Sequence, residues 1–338
     1  MHVFGFDLFR GGAILFVALA HVILFNVESY PVIVAFLSLT PVILMCALGL
    51  LSGLVIAMKS SRNTGEFLVR RSLRLFAPTT ICLLFAASLH LAYGLPVNIE
   101  HLILQLLGFA GFFDLLQVQN NSSVGWGLWF VTTIFACYLA FPIFLLLFQH
   151  RNAGAHFTLI WALCFTLFLA LPRDSSIWVV VVGFALGVFI ACQGGMRALE
   201  KLPLLGWVGL AAAAVAGSAF SILVDMPVLR QGLGPVGALA FIAIFAQWKS
   251  PRSKRLRLIV GWFSAISYEF YILHFYFINT PFNRMFGAQP LLVQILVGFA
   301  LTAALAHAAA YLAHLVTQRA EEYFFSPATQ GVYPRQRS

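Results

Sequence analysis

From its N-terminus the chain alternates between apolar runs and short polar connections. The runs fall near residues 8–27, 32–57, 73–93, 126–148, 156–172, 176–193, 204–223, 233–248, 259–282 and 289–316. A helix needs roughly 20 mainly apolar residues to cross a bilayer, and most of these runs reach that length. The pattern predicts an all-α polytopic membrane protein with about ten transmembrane helices. The segment 101–117, HLILQLLGFAGFFDLLQ, is apolar but short and carries Asp114. Whether it crosses sets the orientation of everything after it. No internal repeat, low-complexity stretch or long linker divides the chain, so residues 1–320 read as a single transmembrane domain and 321–338 as a short cytoplasmic tail. The first apolar run lacks a basic segment ahead of it and a small-residue cleavage site, so it is expected to remain a span.

Composition narrows the class. Of 338 residues, 61% are hydrophobic and 9% charged, and the mean hydropathy is +0.94. Ordinary globular proteins are about 25% charged. A soluble enzyme, a disordered chain and a secreted disulfide scaffold are therefore excluded. The formal charge of +9 does not call for nucleic acid, because the basic residues sit in short loops where the positive-inside rule accounts for them. If 101–117 does not cross and the N-terminus is cytoplasmic, the inner side holds most of Lys and Arg, including Arg10, Lys59, Arg62, Arg70, Arg71, Arg74, Arg151, Arg197, Lys201, the cluster 249–257, Arg319, Arg335 and Arg337. The outer side then holds only Arg173, Arg230 and Arg284. The expectation is a re-entrant or interfacial helix at 101–117 on the outer side, with both termini cytoplasmic. Cys46, Cys82, Cys137, Cys164 and Cys192 lie in apolar runs without metal or CxxC spacing and read as small buried hydrophobes.

Ionisable groups inside spans are expensive in lipid and mark functional candidates. Arg10 and His21 are eleven residues apart, close to three helical turns, so they share one face about 16 Å apart along the axis. Asp7 sits beside Arg10 on that face. The competing reading has Arg10 snorkelling to headgroups and His21 packed in the interior. Arg70, Arg71 and Arg74 crowd the start of the third span, where the helix dipole disfavours cations, so an anionic partner is expected. Lipid phosphate and a bound polyphosphate are the two alternatives, arginine matching phosphate with paired donors. Ser267, Tyr271 and His274 form a polar stripe on the ninth span, suited either to interhelical hydrogen bonds or to a site. By helix rise His274 lies roughly 20 Å deep, near the level of His21, so the two histidines are placed to line one cavity. Glu269 lies on the other side of that helix, with no partner that the sequence identifies. Trp126, Trp129 and Tyr138 read as interfacial or packing aromatics, and His90, His307 and His314 as packed or interfacial. His101 and Asp114 belong to the outer segment.

Together these motifs resemble the acyltransferase 3 family of integral membrane acyltransferases. FDLFRGGAILFVALAH at 6–21 resembles its first-helix signature, and RRSLRLFAP at 70–78 its basic RxxR segment ending in Pro. LWFVTTIFACYLAFP at 128–142 matches a Trp, Tyr and Pro pattern through Trp129, Tyr138 and Pro142. ISYEFYILH at 266–274 is similar to its late Ser-Tyr…His segment, with Ile272 where Leu is usual. One departure is that Ile134 and Phe135 occupy the stretch where many members carry a Glu.

The resemblance implies transfer of an acyl group, commonly acetyl, from cytoplasmic acyl-CoA to a hydroxyl of a carbohydrate or other cell-envelope or secreted acceptor, in a bacterial cytoplasmic membrane. It assigns Arg71 and Arg74 to the CoA phosphates and Arg10 to the donor or to charge near the thioester. His21 becomes the base or a transient acyl carrier. Asp7, Ser267, Tyr271, His274 and Trp129 become catalytic or orienting residues. Membrane lipids are the other expected partners. No metal is required, since the histidines lack ligand spacing. No appended SGNH-type domain is present in this sequence, so the membrane part or a partner is expected to complete the transfer. A transporter or flippase for a lipid-linked or small polar molecule is the rival class, which would be expected to show repeat symmetry and broken helices in both halves. A non-catalytic scaffold is a third.

Overall fold

Without water in the hydrocarbon core, a spanning backbone must satisfy its own N–H and C=O groups, and a helix does so within one segment. The computed structural model describes residues 3–26, 40–59, 64–116, 124, 127–171, 175–199, 202–279 and 291–325. All regular structure among them is helical: α1 (Phe4–Asn26), α2 (Thr40–Lys59), α3 (Thr64–Ala92), α4 (Ile99–Leu106), α5 (Ala110–Leu116), α6 (Trp129–Gln149), α7 (Ala153–Ala170), α8 (Ser175–Cys192), α9 (Met196–Leu199), α10 (Leu204–Leu223), α11 (Pro227–Ala246), α12 (Lys254–Asn279) and α13 (Leu291–Phe325). Nine of these carry windows long and apolar enough to cross a membrane, and Ile177–Cys192 is a shorter apolar helix. Each of the ten apolar runs in the sequence corresponds to one of them. The protein is an integral membrane protein. Trp126, Arg62, Arg173, Lys201, Arg284, Arg335 and Arg337 lie outside the described residues, as does the side chain of Asp114.

The segment 101–117 forms two short helices broken at Gly108, whose φ of +83° favours glycine. It does not cross. Phe67 packs on Phe141 and Phe76 on Phe135, each with ring centroids 4.8 Å apart, so α3 and α6 are antiparallel and the chain between them returns to the end it left. Thr132 fixes the break by donating to the Gly108 carbonyl at 2.6 Å and accepting from the Gly111 N–H at 2.8 Å.

Lipid tails are as apolar as leucine, so helices in a bilayer associate through close packing, which small residues permit. The tightest seam joins α2 to α8. Gly49 and Gly53 face Gly183 and Gly187, a G-x-x-x-G pair on each helix. A Cβ at Gly53 would lie 2.1 Å from the Phe184 carbonyl oxygen, and one at Gly187 the same distance from that of Leu50. Gly5 lets α1 approach α11 as closely at Phe245. The core spreads through these seams and includes Leu50, Leu54, Phe184 and Ile242.

Basic residues gather at one end of the bundle. There Arg70 meets Glu321, Gln247 reaches the Leu199 carbonyl and Gln193 the Phe148 carbonyl. The third span begins at Thr64 rather than near 73, and the last runs past the expected boundary at 320 to Phe325. One contact set accounts for both extensions: Arg70 donates to Glu66 at 2.9 Å and to Glu321 at 2.7 Å, and its guanidinium lies 4.3 Å from the Phe325 ring. Glu321 is therefore part of α13.

Candidate active site

Two contacts seat α1 along α12. The Ser264 hydroxyl donates to the Asp7 carboxylate at 2.9 Å, and Gly11 leaves room for the Phe263 ring. Further along this seam His21 and His274 meet. Nδ1 of His21 lies 2.8 Å from Nε2 of His274, and the rings stack with centroids 5.1 Å apart and planes 13° from parallel. Phe275 closes edge-on over His21 at 5.7 Å. His274 is buried, with Nδ1 2.5 Å from the Tyr271 carbonyl oxygen.

These contacts fix the tautomers. A carbonyl oxygen only accepts, so Nδ1 of His274 carries its proton and, in the neutral ring, Nε2 is the acceptor. His21 must then donate from Nδ1. Its Nε2 is left with the ring lone pair. An imidazole held this way has a defined basic nitrogen, the property required of a base or nucleophile.

A cavity of about 260 Å³ opens between α1, α2, α3, α6 and α12. Arg10, Arg71 and Arg74 line it together with Tyr138, Ser264, Ser267, Tyr268 and Tyr271. Tyr271 ties the cavity to the histidine pair, since its ring centroid lies 5.7 Å from that of His274 and its hydroxyl donates to the Gly127 carbonyl at 2.8 Å. Ile134 forms part of the wall one turn from Tyr138.

The arginines divide into two groups. Arg74 bonds Glu321 at 3.4 Å and is 58% exposed, while Arg70 is held by two carboxylates and does not line the cavity. Arg10 and Arg71 line the cavity, and among the described residues neither forms an ion pair. Arg71 lies 5.8 Å from the Phe67 ring. The anion expected near the RxxR segment is thus supplied from within the chain for Arg70 and Arg74, by Glu66 and Glu321.

The other candidates are placed as follows. Asp7 bonds α12 across the seam. The Ser267 hydroxyl donates to the Ser264 carbonyl at 2.8 Å, so it borders the cavity without reaching His21. Trp129 stacks edge-on against Phe130, and Phe130 rather than Trp129 lines the cavity. Ser264 and Tyr268 were missed, although Ser264 extends the Ser267–His274 stripe by one turn. Tyr268 shares a 2.7 Å hydrogen bond with Thr79, joining α12 to α3 just after Pro78. No group of three or more His, Cys, Asp or Glu positioned to hold a metal occurs among the described residues.

A helical bundle with a basic cavity whose wall residue Tyr271 packs against a partly buried imidazole pair has the parts of a membrane-embedded enzyme. A family model described as "Acyltransferase domain" matches residues 3–311, so the chain belongs to the acyltransferase 3 family and is a membrane acyltransferase. No curated protein and no solved structure matches it.

Proposed function

We propose that the protein moves an acyl group, acetyl in the simplest case, from cytoplasmic acyl-CoA to a hydroxyl of a carbohydrate or other cell-envelope or secreted acceptor, in a bacterial cytoplasmic membrane. The observation that carries this reading is the cavity in which Arg10 and Arg71 stand without carboxylate partners among the described residues and whose wall residue Tyr271 packs against His274 of the His21–His274 pair. Two guanidiniums lacking counter-charges suit an anion bearing several phosphates, and CoA is such an anion. The clustering of basic residues at that end of the bundle supports assigning it to the cytoplasm.

In the proposed reaction the acceptor hydroxyl meets Nε2 of His21, which takes its proton as the oxygen attacks the thioester carbonyl carbon. The tetrahedral adduct collapses with cleavage of the C–S bond, and the departing CoA sulfur receives the proton from His21. His274 steadies the imidazolium through the bond to Nδ1, and Arg10, on the His21 helix, offsets charge at the donor. Labelled acetyl-CoA given to the purified protein with envelope glycan should yield labelled, base-labile ester on the glycan. A transporter or flippase would relocate its cargo and form no such ester.

A further inference from the structure

The face of α12 turned away from the histidine stripe borders a second cavity. A groove of about 550 Å³ runs between α3, α12 and α13, sharing only Arg74 and Ala265 with the arginine cavity. Its walls include Trp262, Glu269, His307, Tyr311, His314 and Glu321. Trp262 is 44% and Tyr311 61% exposed on the outside of the bundle, so in the membrane the groove opens sideways to lipid. His307, Tyr311, His314, Gln318 and Glu321 recur at spacings of four and three, a polar track along α13 roughly 20 Å long. Polar side chains facing hydrocarbon are costly unless something polar meets them.

Glu269 specifies what that is. It is only 7% exposed, lines the groove, and its Oε2 has no hydrogen-bond partner. A buried carboxylate oxygen in that state is strongly unfavourable, so its complement must donate an N–H or O–H. Two turns from Glu269 on α12, the Trp262 indole N–H donates across the groove to Nδ1 of His307 on α13 at 3.3 Å, which leaves the His307 proton on Nε2 as a donor. The groove therefore offers an acceptor and an indole ring for a cation, and a donor for an anion. We propose that it binds the head of a zwitterionic membrane lipid bearing a primary ammonium, with the ammonium on Glu269 and a phosphate oxygen on His307. A head that is only anionic would meet Glu269 with like charge, Glu321 being already paired with Arg70 and Arg74, and a choline head has no N–H to give. This site is independent of the acyl-transfer reading.

The test is native mass spectrometry of the delipidated full chain reloaded with an equal mixture of phosphatidylethanolamine, phosphatidylcholine and phosphatidylglycerol of matched acyl chains. The wild-type protein should retain the ethanolamine lipid over the choline lipid by about tenfold, the difference expected of one charge-assisted hydrogen bond. Glu269→Leu should reduce the preference to within about twofold. Ala310→Trp, which fills the groove and leaves Glu269 in place, should lower retention of the ethanolamine lipid as well. Equal retention of the ethanolamine and choline lipids by the wild-type protein would overturn the proposal whether or not either variant folds. Preference for the glycerol head, or an undiminished ethanolamine preference in Glu269→Leu, would do the same.

Discussion

Replacing His274 isolates the work of the residue behind the proposed base. In His274→Leu the acceptor for the His21 Nδ1 proton, now 2.8 Å away, disappears. A neutral hydrogen bond contributes about 0.5–1.5 kcal/mol, and one to a charged group about 1.5–3 kcal/mol. The first value applies while His21 is neutral, the second once it has taken the proton. Only the difference between the two, about 1–1.5 kcal/mol, acts on the chemical step, so kcat should fall about five- to twelvefold. His274→Gln supplies an amide oxygen near the former Nε2 position and should recover much of that loss. Donor affinity should be unchanged in both, because His274 does not line the arginine cavity. The assay pairs steady-state ester formation with acyl-CoA binding on the same preparations. Wild-type turnover in His274→Leu would refute the argument, as would a Gln variant no better than the Leu variant.

Two further outcomes follow from the charge distribution. Arg71→Ala should weaken acyl-CoA binding more than Arg74→Ala, since Arg74 is already bonded to Glu321, and Arg71→Lys should restore only part of the loss because an ammonium lacks the planar fork; equal donor affinity in all three, measured by calorimetry, would return the arginines to lipid anchoring. Ser253→Cys, in the exposed basic connection before α12, should resist a membrane-impermeant maleimide applied to intact cells and react after lysis, the native cysteines being buried or half-buried; labelling in intact cells would reverse the orientation.

The number and order of spans are legible in the sequence because the bilayer imposes them: each crossing must be apolar for its full width. Helix ends are less legible. At the start of α3 and the end of α13 the chain is charged, and hydropathy alone places those turns outside the helices. They stay helical because Arg70 on α3 pairs with Glu66 one turn away, and Arg70 and Arg74 pair with Glu321 some 250 positions on in sequence. Helical periodicity set His21 and His274 at one depth, but their contact depends on how α1 lies on α12, which Gly11 and the Asp7–Ser264 bond determine. Trp129 shows how sensitive such placement is, since one residue turns a helix by about 100° and puts Phe130 at the cavity instead. The paired G-x-x-x-G spacings of α2 and α8 signal close helix approach, a feature that hydropathy does not register. Glu269 could not be interpreted from its own helix, because its surroundings come from α3 and α13.

The central claim is that Nε2 of His21 handles the acceptor proton, and His21→Asn tests it most directly. The variant loses the basic nitrogen at a position outside the arginine cavity lining. It should insert, bind acyl-CoA as the wild-type protein does, and form ester about 10²–10⁴-fold more slowly, the range that general-base catalysis supplies. Mass spectrometry of the acceptor, run beside donor binding on the same purified protein, gives both readings. Near-normal acylation by His21→Asn would contradict the account.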